Sequence, residues 1–297
     1  MRIGLVMGID DRGRGAVPRW QDALSHARAA ESVGFDLLTV PDAMTEGPAN
    51  YWEGMTMAGA IAAATDSIGI THSTVNAPFR PPALVARAAQ TLDEISGGRY
   101  TLGLGAGNTP DDYRNFGIEA DPRYSRFAEA LTVVWSLLRD GHADFHGDFE
   151  MAVTDRFEPS GPRPGGIPIN VAAGGPRMLA LTVRIADEWN WWAGSSQIPV
   201  QLAEILDHIR RECDLQARDP ETLGMTLDVY SFDPLAVVDD PSPHVHSGPV
   251  DAMAESLLAL REIGIDEVRI DLAVAPLDRR VEAIEAMRPV VDALHAV

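Results

Sequence analysis

The chain has 297 residues, of which 45% are apolar, and is therefore large and apolar enough to fill the core of one sizeable α/β domain. Its formal net charge is −20 and all 24 basic residues are arginine, which argues against nucleic acid or an anionic lipid surface as a partner. The single cysteine excludes an internal disulfide, and no apolar run reaches the roughly 18 residues of a membrane span. We expect a soluble, cytoplasmic protein.

The first half of the chain alternates short β-branched runs with amphipathic stretches whose apolar residues recur every three or four positions. This pattern predicts strands at residues 3–9, 35–40, 67–75 and 100–105. It predicts helices at residues 20–34, 56–64, 81–96 and 124–138. Glycine ends two of these helices and proline begins one, as is typical of those residue types.

The second half resumes this alternation after residues 140–166, which are polar, rich in Gly, Pro and Asp, and without a period. We interpret them as an irregular insertion that can hold a small hairpin. Strands are predicted at residues 167–173, 188–193, 225–232 and 266–274, and helices at residues 176–186, 200–213, 250–264 and 279–296.

Eight strands, each followed by a helix, indicate a parallel sheet that closes into a (β/α)8 TIM barrel, with residues 1–297 as a single domain. A doubly wound open sheet is the structural alternative. That fold usually has fewer units and a glycine-rich fingerprint after its first strand, which this chain lacks. We therefore predict the barrel.

Two glycine-rich segments fall where barrel strands end and catalytic loops begin. The run GLGAGNT at residues 103–109 would let the backbone approach a planar or phosphorylated ligand, or would serve only to turn the chain. The run AAGGPR at residues 172–177 leads into a helix that begins at Pro176, and its N–H groups and Arg177 suit an anion. An ordinary turn is the alternative, although phosphate sites of barrels are commonly built from such late loops.

Other polar and aromatic residues also lie at predicted strand ends. His72, Ser73, Thr74 and Asn76 follow the third strand, where alternation turns some side chains into the barrel mouth. Three tryptophans lie close together in the run EWNWWA, of which Trp189 is expected in the core and the other two against a flat ligand.

Histidine pairs are the strongest hint of a metal. His142 and His146 are four residues apart, and His244 and His246 flank one valine. Neither pair has a spaced third ligand, so no metal site is predicted. No nucleophile elbow or phosphate-binding P-loop occurs, which leaves a metal-dependent hydrolase as the remaining alternative among hydrolytic enzymes.

Several segments resemble the luciferase-like monooxygenase superfamily, whose branches use flavin or the deazaflavin coenzyme F420. The most specific is ITHSTVNAPFRPPALVARAAQTLDEISGGRYTLGLGAGNTPDDYRNFGI, and it is joined by ARAAESVGFDLLTVPDA, YSRFAEALTVVWSLLRDG and IPINVAAGGPRMLALTVRIADEWN. The resemblance runs over most of the chain. It implies a barrel that holds F420 or FMN at its carboxyl-terminal mouth, a homodimer, and a separate flavin or F420 reductase as partner.

The resemblance also implies site residues. It places a non-prolyl cis peptide at Ser73–Thr74. Cofactor contacts carried over from the family are Ser73, Thr74, Val75, Gly105, Ala106, Gly107, Ala173, Gly174, Gly175, Pro176 and Arg177. Polar contacts at the reacting end, our catalytic candidates, are Asp42, Asn76 and Asn108.

Two positions depart from the family's F420-dependent alcohol and sugar-phosphate dehydrogenases. Those enzymes show Asp-His after the second strand and Glu after the fourth-strand glycines, whereas this chain reads Asp42-Ala43 and Gly107-Asn108. The departure counts against alcohol oxidation and leaves the proton-transferring residue unassigned. His72 as a base is an alternative to a structural histidine.

The cofactor is expected to be F420, with FMN as the alternative. The acidic, lysine-free composition is similar to that of actinobacterial and haloarchaeal proteins, whose lineages commonly use F420. The acidic tail of F420 needs a patch of arginines. The candidates for this patch are Arg80, Arg114, Arg123 and Arg177. We expect hydride transfer to or from a small organic or pterin-like substrate; a two-component FMN monooxygenase and a non-catalytic flavin-binding barrel are the alternatives.

Overall fold

A computed structural model describes residues 1–8, 19–42, 52–107, 110–119, 121–158, 161–193, 198–229, 234–235, 250–273 and 275–296. The strands within these residues are β1 (Arg2–Val6), β2 (Leu37–Val40), β3 (Gly69–His72), β4 (Val75–Asn76), β5 (Leu102–Gly105), β6 (Ala143–His146), β7 (Met151–Thr154), β8 (Ile169–Ala172), β9 (Glu188–Ala193), β10 (Gly224–Val229) and β11 (Glu267–Asp271). The α-helices are α1 (Trp20–Val33), α2 (Gly54–Ala64), α3 (Pro82–Ser96), α4 (Pro110–Asn115), α5 (Arg123–Arg139), α6 (Pro176–Ile185), α7 (Ile198–Gln216), α8 (Val250–Glu262), α9 (Arg280–Ala286) and α10 (Arg288–His295). The predicted alternation of strands and helices is confirmed.

Nine of these strands form one parallel sheet in the order β3-β2-β1-β11-β10-β9-β8-β5-β4. The third predicted strand is divided into β3 and β4, which lie at opposite ends of this order, so the sheet curves round into a nearly closed barrel. Ile70 N donates to Arg99 O at 3.0 Å and Thr101 N donates to Ile70 O at 2.9 Å, which joins β3 to the chain entering β5. The predicted (β/α)8 barrel is confirmed.

The insertion predicted between the fourth and fifth barrel units contains a hairpin. Its strands β6 and β7 pair antiparallel, with Ala143 opposite Thr154 and His146 opposite Met151. This two-stranded sheet is separate from the barrel sheet.

The apolar core lies between the barrel strands and the surrounding helices. Helix α1 buries Ala23, Ala27, Ala30 and Val33, spaced at three and four residues so that one face packs on the sheet. Trp189 in β9 is fully buried, and its Nε1 donates to Ala173 O at 2.8 Å. The prediction that this tryptophan belongs to the core is confirmed.

The single helix predicted for residues 279–296 is wrong. The chain forms α9 and α10, which meet at Met287. Proline at position 289 lacks an N–H and its ring crowds the carbonyl of residue 285, so one continuous helix through this point is disfavoured.

The barrel interior between β8 and β11 is polar, where branched aliphatic side chains are usual. Alternate positions of these strands carry Asn170, Glu188, Asn190, Thr226, Asp228, Glu267 and Arg269. These side chains contact one another across strands: Asn190 Nδ2, for example, lies 3.1 Å from Thr226 Oγ1. Buried polar groups of this kind remain stable only when they are paired, and this network extends towards the carboxyl ends of the strands.

Candidate active site

A cavity of about 610 Å³ opens at the carboxyl ends of the barrel strands, which is the catalytic end of this fold. Its volume falls in the range typical of sites for small molecules and cofactors. The cavity is lined by Val6, Asp42, Ser73, Thr74, Asn76, Gly105, Ala106, Gly107, Asp112, Arg123, Tyr124, Ala172, Ala173, Gly174, Met178, Asn190, Trp191, Trp192, Asp228, Val229 and Asp271.

The structure brings most of the site residues predicted from the sequence to this cavity. Those that line it are Asp42, Ser73, Thr74, Asn76, Gly105, Ala106, Gly107, Ala173 and Gly174. Val75 is buried in β4, whereas Gly175, Pro176 and Arg177 are exposed at the start of α6. Asn108 lies outside the described residues. Trp191 and Trp192 line the cavity as expected, and the catalytic and cofactor-binding roles remain predictions.

The peptide bond between Ser73 and Thr74 is cis, as the family resemblance implied. Two glycines of β5 allow the neighbouring backbone to approach this segment closely. A Cβ at Gly105 would overlap Thr74 Oγ1, and one at Gly103 would overlap the carbonyl oxygen of His72. Glycine at these positions therefore allows β5 to pack directly against the segment that contains the cis peptide.

The loop that follows β5 is held by side chains from α4 and α5. Tyr113 OH donates to Ala106 O, and Arg123 Nη1 donates to Gly107 O at 3.1 Å. Gly107 has a φ of 71°, a conformation that favours glycine. These contacts keep the backbone of residues 105–107 in place on one side of the cavity.

Two guanidinium groups lie on the side of the cavity formed by α5 and α6. Arg123 lines the cavity, and Arg177 Cζ lies 3.8 Å from the centre of the Tyr124 ring, a cation–π contact that orients the arginine. Arg177 offers donors to an anion at the start of α6, and Arg123 adds a second guanidinium group in the cavity lining.

The other two arginines proposed for an anionic tail, Arg80 and Arg114, are not among the residues that line the cavity. Arg80 is bound inside the protein to Asp42 and Glu53, so the prediction that it contacts the tail is wrong. Arg114 is exposed and forms a 2.6 Å pair with Asp111 of its own helix. Their sequence positions suggested a cluster, but opposite charges nearby already bind both.

Asp42 makes four polar contacts through its carboxylate. Its oxygens accept Arg80 Nη1 at 2.7 Å and Arg80 Nη2 at 2.8 Å, and also the backbone N–H groups of Gly54 and Asn76 at 3.1 Å each. Asn76 Nδ2 donates in turn to Asp42 O at 2.9 Å. The buried carboxylate thus links three loops and holds Asn76 at the cavity.

His72 lies beneath the cis peptide and is fully buried. Tyr100 OH is 2.9 Å from its Nδ1. Burial lowers the pKa of this imidazole, so it stays neutral, and it is not among the residues that line the cavity. These observations favour a structural histidine over a base.

Asp228 is a cavity residue that sequence reasoning missed. Its Oδ2 accepts a hydrogen bond from Ser73 Oγ, and its Oδ1 accepts Asn190 Nδ2 at 3.2 Å. Burial raises the pKa of this carboxyl group, more than nearby Arg269 and these hydrogen bonds lower it. A raised carboxyl pKa in a cleft marks a candidate for proton transfer.

Arg269 on β11 is the register partner of Asp228 on β10 and is fully buried. Its Nε donates to Glu267 Oε1 at 2.6 Å. Its Nη1 is 3.8 Å from Asp228 Oδ1 and its Nη2 is 3.8 Å from Glu188 Oε2, distances longer than a hydrogen bond. Arg269 therefore hydrogen-bonds to Glu267, whereas its distances to Asp228 and Glu188 are too long for hydrogen bonds.

Across the described ranges, no group of three or more His, Cys, Asp and Glu side chains has an arrangement that fits a metal ion. His244 and His246 lie outside those ranges. In the same part of the chain, no helix has the length and apolar character needed to cross a bilayer.

Known proteins provide an independent comparison. The family model described as luciferase-like monooxygenase matches residues 1–245. The pyrimidine monooxygenase RutA of Caulobacter sp. strain K31 is 28% identical over 237 residues, which cover 74% of this chain and 66% of that protein. The 5,10-methylenetetrahydromethanopterin reductase of Archaeoglobus fulgidus is 30% identical over 162 residues, covering 54% and 46%.

Solved structures show the same fold. An F420-dependent secondary alcohol dehydrogenase, solved with an F420-acetone adduct, has a TM-score of 0.81 and covers 98% of both chains. It is 20% identical to this chain, so the likeness concerns the barrel architecture.

Proposed function

Because the chain belongs to the luciferase-like monooxygenase family, we propose that it is an F420-dependent oxidoreductase acting on a small organic or pterin-like substrate. The family consists of oxidoreductases and monooxygenases that use flavin or deazaflavin cofactors. The observation that carries the proposal is the cavity between residues 73–74 and the residue 105–107 loop, with Arg123 in its lining and Arg177 stacked on Tyr124 of the same lining.

The residues present fit such a cofactor. Gly105 packs against Thr74 and, with Ala106 and Gly107, gives the cavity a wall of backbone and small side chains, which suits a flat ring system. Gly174 precedes helix α6, whose first N–H groups and positive end of the dipole suit a phosphate. When bound, the coenzyme would supply hydride transfer.

The protein's own part is to orient the ligand and to exclude water. The backbone of Ala106 and Gly107 is held by Tyr113 and Arg123, and Trp191 forms part of the cavity wall. Asn76, held by Asp42, presents an amide at the cavity that can hydrogen-bond to a bound polar group.

The arginine pair favours F420 over FMN. Both cofactors have a ring and a phosphate, but F420 adds an acidic tail, and the chain as a whole carries a net charge of −20. A polyanionic tail therefore needs local positive charge, which Arg123 and Arg177 would provide on the side of the cavity bounded by Tyr124.

A two-component FMN monooxygenase is the second candidate. The similarity to pyrimidine monooxygenase RutA, 28% over 74% of this chain, favours it. A homodimer and a separate reductase partner remain expectations under either candidate.

The arginine variants test the proposal. Arg123→Ala and Arg177→Ala should each weaken F420 binding by roughly two- to five-fold, the effect of losing a partly solvated charged contact. They should weaken FMN binding less, because FMN lacks the tail. Affinity is measured by fluorescence titration of the cofactor-stripped protein.

Arg114→Ala is the matched control, since Arg114 is exposed and paired with Asp111 away from the cavity. It should leave F420 affinity unchanged. Failure of the wild-type protein to bind F420, or equal losses in all three variants, would contradict the proposed function.

A further inference from the structure

Two of the carboxylates that line the cavity, Asp42 and Asp228, have different partners. Asp42 is bound to Arg80 through both oxygens at 2.7 and 2.8 Å. Asp228 accepts hydrogen bonds from two neutral groups, Ser73 Oγ and Asn190 Nδ2. Hydrogen bonds from neutral donors favour the ionised form of a carboxyl group less strongly than a bidentate arginine does.

In the buried cluster that contains Asp228, negative charges outnumber positive charges. Among the described residues, Arg269 lies near Glu267, Asp228 and Glu188. The half-exposed Arg2 adds a second positive charge at the outer end, 3.0 Å from Glu267 Oε2 and 3.9 Å from Glu188 Oε1. Two guanidinium groups therefore face three carboxylates, and a bound proton would remove the excess negative charge.

Asp228 is the member of this cluster best placed to hold that proton. Glu267 accepts a 2.6 Å hydrogen bond from Arg269, whereas Asp228 is 3.8 Å from the nearest Arg269 nitrogen. Asp228 also lines the cavity, as Ser73 does, while Glu267 and Glu188 are absent from its lining. Burial, which raises the pKa of Asp228, acts in the same direction.

We propose that Asp228 and Ser73 form the proton-exchanging pair of this cavity, with Ser73 Oγ as the atom that contacts the substrate and Asp228 as the residue that supplies it. The inference rests on the proposed function, since it assigns the proton step of the same site. Neither the sequence reasoning nor the comparisons assigned a group to this step.

The contact between the two side chains suits both protonation states. With Asp228 ionised, Ser73 Oγ–H donates to Oδ2. With Asp228 protonated, its O–H donates to Ser73 Oγ, and the hydroxyl hydrogen of Ser73 can point into the cavity. Asn190 Nδ2 holds the other oxygen in either state.

Reduction of a carbonyl group to an alcohol requires one hydride at carbon and one proton at oxygen. The substrate carbon receives a hydride, with both electrons, from the reduced deazaflavin of the proposed function. The substrate oxygen receives a proton from Ser73 Oγ, which takes one from Asp228, leaving the Asp228 carboxylate to recover a proton from water. Oxidation of the alcohol runs through the same transfers in reverse.

Other charged groups face this pair. Arg269 and Glu267 on β11 and Glu188 on β9 lie below it. Asp271, Asp42, Asp112 and Arg123 line the same cavity. A pH test must separate their titration from that of Asp228, which variants at Asp228 and Glu188 make practical.

Infrared titration of the protein without cofactor tests the pair first. Wild-type protein should show the C=O stretch of a protonated carboxyl group well above pH 4, the ordinary range for aspartic acid. The band should be absent in Asp228→Asn and shifted in Ser73→Ala, which removes its hydrogen-bond partner. A wild-type spectrum with no band lost in Asp228→Asn would overturn the proposal.

Glu188→Gln is the matched variant within the same cluster. It removes one negative charge near Arg269, so Asp228 should ionise more readily and its infrared band should disappear at lower pH. If Asp228 were always ionised and only structural, Glu188→Gln would change no carboxyl band other than that of Glu188 itself. That result would also overturn the proposal.

Turnover provides the second readout, with reduced F420 as donor and acetone and cyclohex-2-enone as probes. Asp228→Asn should lower kcat by about 100-fold, the usual scale for loss of a general acid, while KM and F420 affinity change little. Glu188→Gln should retain turnover and move the pH profile to lower pH. Equal kcat in wild type and Asp228→Asn would overturn the proposal; failure of wild type to bind F420 would instead contradict the proposed function, and the infrared result would still decide the pair.

Discussion

Asp42 and Asp228 are both buried aspartates at the mouth of one barrel, yet they are held in opposite ways. Asp42, at the end of β2, is neutralised by a guanidinium group and accepts two backbone N–H groups. Asp228, near the end of β10, is held by a hydroxyl and an amide, with its nearest guanidinium nitrogen 3.8 Å away. Burial is almost the same for both, at 2% and 6% exposed.

This difference shows that burial alone does not assign a role to a carboxylate. A buried carboxylate with a bidentate arginine is a fixed charge that positions the loops around it. One that is held by neutral donors, beside an excess of negative charge, can exchange a proton. Asp42 therefore shapes the site, whereas Asp228, through its contact with Ser73, is proposed to act in the reaction.

Removal of the Asp42 partner should give the largest effect on stability. Arg80→Met leaves a buried carboxylate without its counter-charge and should lower the free energy of unfolding by about 3–5 kcal/mol. Urea denaturation measures it. Arg114→Met, which breaks an exposed pair, is the control and should cost less than about 1 kcal/mol. Equal losses in the two variants would break the distinction between the two carboxylates.

The buried His26 in α1 also makes the stability of the protein depend on pH. Stability measurements on Asp228 therefore need a variant without this histidine. Burial, with a smaller contribution from Arg280, lowers the pKa of His26 to about 4. Between pH 6.5 and 4 the unfolded chain binds a proton that the folded protein resists, so stability falls as pH falls through this window. The span of about 2.5 pH units corresponds to roughly 3 kcal/mol at pH 4.

The variant His26→Gln should lose this acid-side dependence. Urea denaturation at a series of pH values measures it, with wild type as reference. A His26→Gln protein whose stability still falls as steeply towards pH 4 would show that another group is responsible. The variant then serves as the background for measurements on Asp228.

The same substitution at both aspartates should have unequal effects. Asp42→Asn removes the charge that Arg80 needs, whereas Asp228→Asn keeps polar contacts and should change the free energy of unfolding by less than about 1 kcal/mol near pH 5. Asp228 has a raised pKa in the folded state. As pH rises above the ordinary pKa of an aspartic acid, Asp228 loses its proton in the unfolded chain before it does so in the folded protein. The wild type therefore loses stability relative to Asp228→Asn as pH rises.

Denaturation of both asparagine variants in the His26→Gln background measures this contrast. Asp228→Asn should become more stable relative to its parent as pH rises, and Asp42→Asn should be destabilised throughout. A pH-independent difference for Asp228→Asn would contradict the account of its carboxyl group.

The fold follows from the sequence because its signals are local. Strand and helix periodicities occur within short windows, and the glycine runs mark strand ends without reference to distant residues. One exception, the break between α9 and α10, is also local, and Pro289 was the signal for it.

The site is predicted only in part because its chemistry depends on contacts distant in sequence. Ser73, Thr74 and the residue 105–107 loop follow from position at strand ends. Asp228 contacts Ser73 across 155 residues, and Arg80 contacts Asp42 across 38. Polar residues at most alternate positions of β9 to β11 were the available signal for a polar interior, but their pairing depends on the register between strands.

Direct competition between F420 and FMN for the cofactor-stripped protein, each in oxidised and reduced form, tests the central claim most directly. The account predicts that F420 remains bound in the presence of excess FMN, as followed by F420 fluorescence. Displacement of F420 by FMN, with tightest binding for reduced FMN, would contradict it and assign the barrel to an oxygen-using monooxygenase.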